Sequence, residues 1–403
     1  MKTPLLSNPA ARRLFLHRHG LGETLVGPAR GDDLARLIDR IGFVQLDSIN
    51  TVERAHHMIL FARRPSYRPP ALDRLQNRDR KVFEHWTHDA SVLPMALFPH
   101  WRHRFRSFEA TRAERWRAWL GGDAHERMLD QVLDHIAAHG PVTTTDVGKD
   151  ETRSKGGWWE WHPSKAALEW LWQCGKISIA RRESFRKVYD LTENVIPPEF
   201  LAKETSSEET LDWACSSALD RLGFATSGEI AAYWRAISPA EARDWCRRSE
   251  ALGLIVPIEV EGADGSRRVS FARPGVVEEA AGLPEPPARL RVLSPFDPAL
   301  RDRARAERLF NFFYRIEVFV PEPKRTYGYY VFPLLEGARI VGRIDMKARR
   351  DTGALVVRAL WPERGVMFGA GRLRRLQTEL DRMAVFSRCD RVSYEDGWLR
   401  EPL

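Results

Sequence analysis

The chain has 403 residues, 29% of them charged and 43% hydrophobic, with a formal net charge of +8. That length can bury the cores of two to four domains, and the balance excludes a disordered chain. There is no run of about 18 apolar residues, which excludes a membrane-spanning helix, and Arg12 and Arg13 interrupt the apolar pattern of the N-terminus, unlike a secretory signal. Residues 1–120 carry 21 Lys/Arg against 12 Asp/Glu, residues 121–288 carry 19 against 28, and residues 289–403 carry 23 against 15. Two basic ends thus flank an acidic middle. Of the 63 cations, 53 are Arg. Guanidinium groups grip phosphates bidentately and stack on bases, so nucleic acid is the first partner to consider; a genome's compositional bias would give the same Arg excess without one. Cys174, Cys215, Cys246 and Cys389 are far apart in sequence. They indicate neither a disulfide framework nor a zinc knuckle and fit a reducing cytoplasm, as buried small hydrophobes.

In chain order, Ser7, Asn8 and Pro9 open a helix that Gly20 and Gly22 end. Asp32 and Asp33 begin another, which leads into a strand over residues 42–50. Residues 51–63 and 72–80 read as helical, with Pro65, Pro69 and Pro70 between them. Residues 82–94 are dense in aromatic and polar groups, and residues 101–120 form a basic helix bearing Trp. One order of elements then occurs twice. The first copy is helix 126–138, a short segment after Gly140, helix 163–174, and a hairpin of 177–180 with 186–191. The second is helix 211–222, a turn, helix 228–234, a helix capped by Ser238 and Glu241, and a hairpin of 255–261 with 267–271 about Asp264-Gly265. Helix, turn, helix, helix, hairpin is the winged-helix order. Past a linker at 283–287, short β-rich runs at 314–320, 327–333, 339–346 and 354–361 predict a small barrel or antiparallel sheet. A basic helix over 371–386 and a strand over 391–394 would close it. The fold class is α+β, in segments 1–120, 121–203, 204–287 and 288–403.

The strand over 42–50 carries the sharpest chemistry. Side chains alternate along a strand, so Gln45 and Asp47 share one face. An amide beside a carboxylate can hold a water, with Asp47 as proton acceptor and Gln45 as orienter. The plainer reading is a strand with one solvated polar face. All twelve histidines precede residue 163, and His85/His88 and His100/His103 are spaced i, i+3. No Cys accompanies them and HExxH is absent, so core or phosphate-contacting roles are expected rather than a metal site; His56 and His88 are candidates to line a groove. Arg181, Arg182, Arg186 and Lys187 fall near the tip of the first wing, where they either contact DNA or simply face solvent. Lys324, Arg325 and Tyr327 admit the same two readings. Trp158, Trp159, Trp161, Trp170 and Trp172 read as core.

Three groups of residues, taken together, carry a resemblance: Val44-Gln45-Leu46-Asp47-Ser48-Ile49; Glu53-Arg54-Ala55-His56-His57; and Glu84-His85-Trp86-Thr87-His88-Asp89-Ala90-Ser91. So do Leu293-Ser294-Pro295-Phe296-Asp297, the run containing Lys324-Arg325 and Tyr327-Gly328-Tyr329-Tyr330, and Val341-Gly342-Arg343-Ile344-Asp345-Met346-Lys347. In this set and order the chain resembles the YcaQ/AlkZ family of bacterial winged-helix DNA glycosylases over nearly its whole length. The resemblance implies three tandem winged helices and a C-terminal β-barrel, a C-shaped monomer around duplex DNA. It implies excision of N-alkylated purines, interstrand crosslinks included, with neither metal nor other cofactor. The family's signature is Gln-apolar-Gln in one branch and Gln-apolar-Asp in the other. Gln45-Leu46-Asp47 resembles the second, YcaQ-like branch, associated with crosslink unhooking and a broad N7-alkylguanine range.

On that resemblance Gln45 and Asp47 are the catalytic pair and Arg54, His56 and His88 line the groove. Arg181, Arg182, Arg186, Lys187, Lys324, Arg325 and Tyr327 contact DNA, and the protein works in the cytoplasm at the nucleoid. The other class left open is a non-catalytic winged-helix DNA-binding protein or regulator.

Overall fold

The computed structural model describes residues 3–24, 26–120, 123–147 and 163–402. Trp158, Trp159 and Trp161 lie outside the described residues. The chain divides into two compact units: Met1–Ala29, Arg36–Pro69 and Ala214–Leu403 form one, Arg30–Ala35 and Pro70–Trp213 the other. These units cut across the four consecutive segments read from the sequence. Among the described residues no helix is long and apolar enough to cross a membrane.

In the first unit, local sequence signals account for much of the helical part. Thr226 and Ser238 each accept from the backbone N–H three residues on, and Glu229 and Glu241 reach back, so helices Ser227–Trp234 and Pro239–Ala251 both start with capping boxes. Strands Val256–Glu261 and Arg267–Ala272 form the hairpin about Asp264-Gly265. Phe224–Ala225 pairs with one side of that hairpin, and Leu5–Leu6, near the start of the chain, adds to the other in parallel. Asn8, at the start of helix Asn8–Arg18, fixes the junction: its backbone N–H donates to Glu261 (2.8 Å) and its side chain to the Leu309 carbonyl (3.0 Å).

The rest of this unit is a curled five-stranded sheet in the order Leu290–Val292, Val331–Glu336, Arg339–Arg349, Ala354–Pro362, Arg391–Tyr394. The first four strands run antiparallel, and the last joins in parallel to Ala354–Pro362. Arg391–Tyr394 therefore extends one edge instead of meeting Leu290–Val292 across a closed barrel. Residues 314–320, expected as a strand, are irregular. The reason is the Glu317 carboxylate, which accepts from the backbone N–H groups of Thr326, Tyr327 and Gly328 at 2.8–2.9 Å and so binds this segment to a loop instead of a ladder.

In the second unit, helices Phe98–Leu120, Asp123–His139 and Pro163–Gln173 accompany two hairpins, Val82–Trp86 with Ala90–Pro94 and Ile177–Glu183 with Arg186–Leu191. Its core gathers Val132, Ile136, Leu168, Trp170, Leu171, Trp172, Ile177 and Ile179, so Trp170 and Trp172 are core residues. Burial of such side chains is worth roughly 1.5–3 kcal/mol each. All four cysteines are buried thiols.

Candidate functional site

In the first unit the Gln45 segment is anchored at both ends. Gly42 has φ +84°, and a Cβ there would come within 2.9 Å of Arg221, Tyr233 and Trp234, so both space and backbone demand glycine. The Tyr233 hydroxyl donates to the Ile41 carbonyl (3.0 Å), and the Phe43 ring meets Tyr233 and Trp234 edge-on. Only Val44–Gln45 is strand. Gln45 is 4% exposed and Leu46 6%. The chain then leaves the extended form: the Ile49 N–H donates to Asp47 Oδ1 (2.7 Å), which closes a turn around the carboxylate. Strict alternation from Gln45 to Asp47, as a six- or seven-residue strand would give, is therefore replaced by a buried amide next to a half-buried carboxylate at the head of a turn.

The far end of the segment docks on the sheet. The Ala348 N–H donates to the Thr51 carbonyl (2.8 Å), and Arg350 donates to the Val52 carbonyl (2.6 Å). Glu53, 3% exposed, has Arg350 at 3.6 Å and Arg388 at 3.9 Å. Arg54 precedes helix Ala55–Arg63 as its N-cap. In that helix the His56 and His57 rings meet at a tilt, their centroids 4.1 Å apart, both buried, and His57 Nδ1 lies 2.8 Å from the Tyr67 hydroxyl. Burial first, then the charges of Arg54 and Arg388, hold His57 down to about 3. It is therefore neutral at physiological pH. At the helix end Arg63 forms a two-pronged pair with Asp297 (2.7 and 2.8 Å), and neither side chain is exposed.

One residue absent from the sequence-derived site, Tyr330, belongs beside Asp47, and a second, Asp345, lies on the strand paired with Tyr330's neighbour. Burial, and after it the charge of Asp47, pushes the Tyr330 phenol far above its usual range. Tyr330 is 1% exposed and meets Phe332 edge-on. Its neighbour Val331 pairs with Asp345 on the next strand, and a Cβ on Gly328 would lie 2.9 Å from Asp345 Oδ2. Burial raises the Asp345 carboxyl to about 6, against the pull of Arg358 at 3.8 Å and with a further push from Glu395. The signal available in sequence was a lone acid in the apolar run Val341-Gly342-Arg343-Ile344-Asp345-Met346.

Asp345 gives a pH prediction with a definite sign. Its raised value means that the folded chain holds the proton more tightly than the unfolded one. That stabilisation is full below 3.8 and is lost as pH rises through about 6. Asp345→Asn should therefore raise the melting temperature above pH 7, by the equivalent of roughly 2–3 kcal/mol, and bring little change near pH 4. Melting curves from pH 4 to 8 check it; an equal offset at every pH would remove this carboxyl from the pH dependence.

The expected DNA contacts divide. On the loop capped by Glu317, Lys324 is exposed, while the Arg325 guanidinium donates to the Val320 carbonyl (2.8 Å) and lies 5.1 Å from the Tyr329 ring. Tyr327 is a wall residue, under Arg343 (4.2 Å) and edge-on to Trp361. In the second unit His88 lies in the turn between the strands Val82–Trp86 and Ala90–Pro94 and shares a hydrogen bond with the Thr87 hydroxyl (3.1 Å).

The wing needs a correction. Arg182 is paired with the buried Glu84 through two nitrogens, and Lys187 sits 3.6 Å over the Trp172 ring with Glu169 at 3.0 Å. Both cations serve the core of their unit, because a buried carboxylate and an indole face lie on the inner side of the hairpin. Arg186 at the tip is exposed, and Arg181 pairs with Glu183 on its own strand. Arg182→Ala would leave the Glu84 charge buried without its partner and should cost about 3–5 kcal/mol. Arg186→Ala should leave the melting transition in place. Equal melting of the two variants would refute this division.

Against known families, residues 38–386 match the model of the DNA glycosylase AlkZ-like family. The chain belongs to the AlkZ-like DNA glycosylase family. It is thus placed among hydrolases that act on DNA, and the matched span takes in the Gln45–Asp47 turn, the Arg63–Asp297 pair and the first four strands of the five-stranded sheet. The fold is similar to that of Streptomyces sahachiroi DNA glycosylase AlkZ, with a TM-score of 0.65 at 15% identity over 98% of this chain and 99% of that one. Within an AlkZ-like scaffold, the Gln45-Leu46-Asp47 turn sets a half-buried carboxylate next to a buried amide.

Proposed function

We propose that this AlkZ-like chain is a monofunctional glycosylase that hydrolyses the N-glycosidic bond of N7-alkylguanine and related alkylpurines in duplex DNA, including those tethered in interstrand crosslinks. The observation that carries the reading is the Asp47 turn. Its carboxylate is held by the Ile49 N–H beside buried Gln45, in a segment fixed to the sheet at Thr51 and Val52. An N7-alkylguanine is a cation, so its bond to the sugar is already weakened. Asp47 stabilises the developing oxocarbenium ion and takes a proton from water, while Gln45 orients that water. No amine nucleophile enters, so the product is an abasic site and not a nicked strand. Arg54, His56 and His88 are the groove-lining residues of this reading. The wing, through Arg181 and Arg186, and the loop capped by Glu317, through Lys324 and Arg325, carry the backbone contacts, in a monomer.

The test is incubation with duplex DNA bearing N7-methylguanine, followed by alkaline cleavage of the abasic site. A DNA-binding regulator would bind the duplex and leave the bond intact. Because the chemistry uses Asp47, Gln45 and water, excision should be the same with and without EDTA. Loss of activity that zinc restores would return the histidines to the mechanism.

A further inference from the structure

A cavity of about 610 Å³ lies within the first unit, where the helix Asn8–Arg18 faces the strand Arg339–Arg349 and the end of strand Ala354–Pro362. Its lining includes Arg12, Arg339, Arg343 and Arg364, with Glu363 as its one carboxylate. Glu363 is taken by Arg343 (2.7 and 3.1 Å), whose guanidinium also lies between Phe312 and Tyr327. Arg12 and Arg339 are different. Among the described residues neither has a carboxylate within salt-bridge distance, and each works against the other: burial, then the charge of Arg339, holds Arg12 below its usual value. The nearest relief, Glu285, is paired with Arg13. Two guanidinium groups lining one cavity, Arg12 half-buried and Arg339 exposed, with no salt-bridged carboxylate on either, repel each other unless an anion joins them. Their forked donors fit phosphate oxygens. Phe313 at the rim is 63% exposed, a large aromatic face with Arg315 over it 4.5 Å away. Aromatic faces next to cationic grooves are what polynucleotide strands stack on.

We propose that this cavity is a phosphate-binding site, with Arg12 and Arg339 as its ligands and Phe313 as the platform for an adjoining base. The polynucleotide source rests on the glycosylase reading above. The strand that bears Arg343 in the cavity wall bears Asp345 two residues on, roughly 7 Å at the rise of a β-strand. The same strand pairs with Val331, next to Tyr330, whose phenol feels the charge of Asp47, so a DNA backbone phosphate seated at Arg12 and Arg339 would register the lesion strand against the turn.

The experiment uses the full chain as wild type, Arg12→Gln, Arg339→Gln and the double variant. One arm measures affinity for undamaged duplex as a function of salt; the other follows the melting temperature as inorganic phosphate is added. If the phosphate comes from the DNA backbone, the double variant should bind more weakly to every sequence, and its log–log salt slope should shrink by about 0.9, one phosphate contact. If the site takes a free phosphate anion instead, the slope stays and phosphate stabilises wild type but not the double variant. An unchanged slope together with no phosphate-dependent stabilisation overturns the site. A wild-type protein that binds no DNA would overturn the glycosylase reading, and the phosphate arm would still decide the cavity. Exposed Arg339 can be replaced with little risk to folding, so a poorly folded Arg12 variant leaves the single Arg339→Gln comparison decisive.

Discussion

Replacing Asp47 by Asn should lower excision of N7-methylguanine by about 10²- to 10⁴-fold, the scale of a lost general base and charge stabiliser. The amide keeps the oxygen that accepts from the Ile49 N–H (2.7 Å), so the turn keeps its shape. Affinity for undamaged duplex should stay near the wild-type value or strengthen slightly, since on the proposed function a charge that repels the DNA backbone is removed. Melting should also be unchanged. Gln45→Ala behaves differently: at 4% exposure the amide is part of the packed interior. Its loss should cost stability as well as rate, by roughly 1–3 kcal/mol for an emptied buried polar position. Excision must therefore be read at a temperature where that variant is folded. A folded Asp47→Asn protein that excises at the wild-type rate would take Asp47 out of the mechanism.

The second large effect is structural. Arg63→Met or Asp297→Leu should each destabilise the first unit by about 3–5 kcal/mol, because each leaves the opposite charge buried and unmatched. At the usual scaling this is a fall in melting temperature of roughly 6–20 °C. The double replacement should cost clearly less than the sum of the two, since a pair of well-packed apolar side chains often substitutes for a buried ion pair. Recovery will be partial. Arg63 Nε also donates to the His19 carbonyl (2.7 Å), and Asp297 Oδ1 also accepts from the Ala299 N–H (3.0 Å). Single variants that melt within 2 °C or so of wild type, on that scaling, would show that the pair is not a structural anchor.

Elements whose determinants are local were legible in the sequence. Ser238 with Glu241, and Asp264-Gly265, specify a helix start and a hairpin within a few residues, and both form where the sequence puts them. Elements specified by distant partners were not. Leu290–Val292 is three residues long and exists because Val331–Glu336 pairs with it. Residues 314–320 have the alternation of a strand, yet Glu317 spends its carboxylate on N–H groups nine to eleven residues away. The site divides in the same way. Gln45-Leu46-Asp47 could be picked out by residue type, whereas Tyr330 comes to it from the head of the strand Val331–Glu336. Charge reading alone put Arg182 and Lys187 outside, and only the fold reveals that Glu84 and Trp172 claim them.

The first unit is assembled from segments far apart in the chain, and this has a consequence for biosynthesis. Asn8 bonds to a carbonyl 301 residues later, and Arg63 to a carboxylate 234 residues later. At roughly 5–20 residues per second, the N-terminal segments wait about 10–60 s on the ribosome before those partners exist. The second unit, most of it the contiguous stretch Pro70–Trp213, has all its residues well before then. During that interval Phe43, Val44, Leu46 and the apolar face of helix Ala55–Arg63, all buried in the finished protein, are offered to whatever nascent-chain chaperone is at hand. The turn that bears Asp47 is thus made early and secured late, so faster synthesis should lower the yield of native protein before it changes anything about the native state.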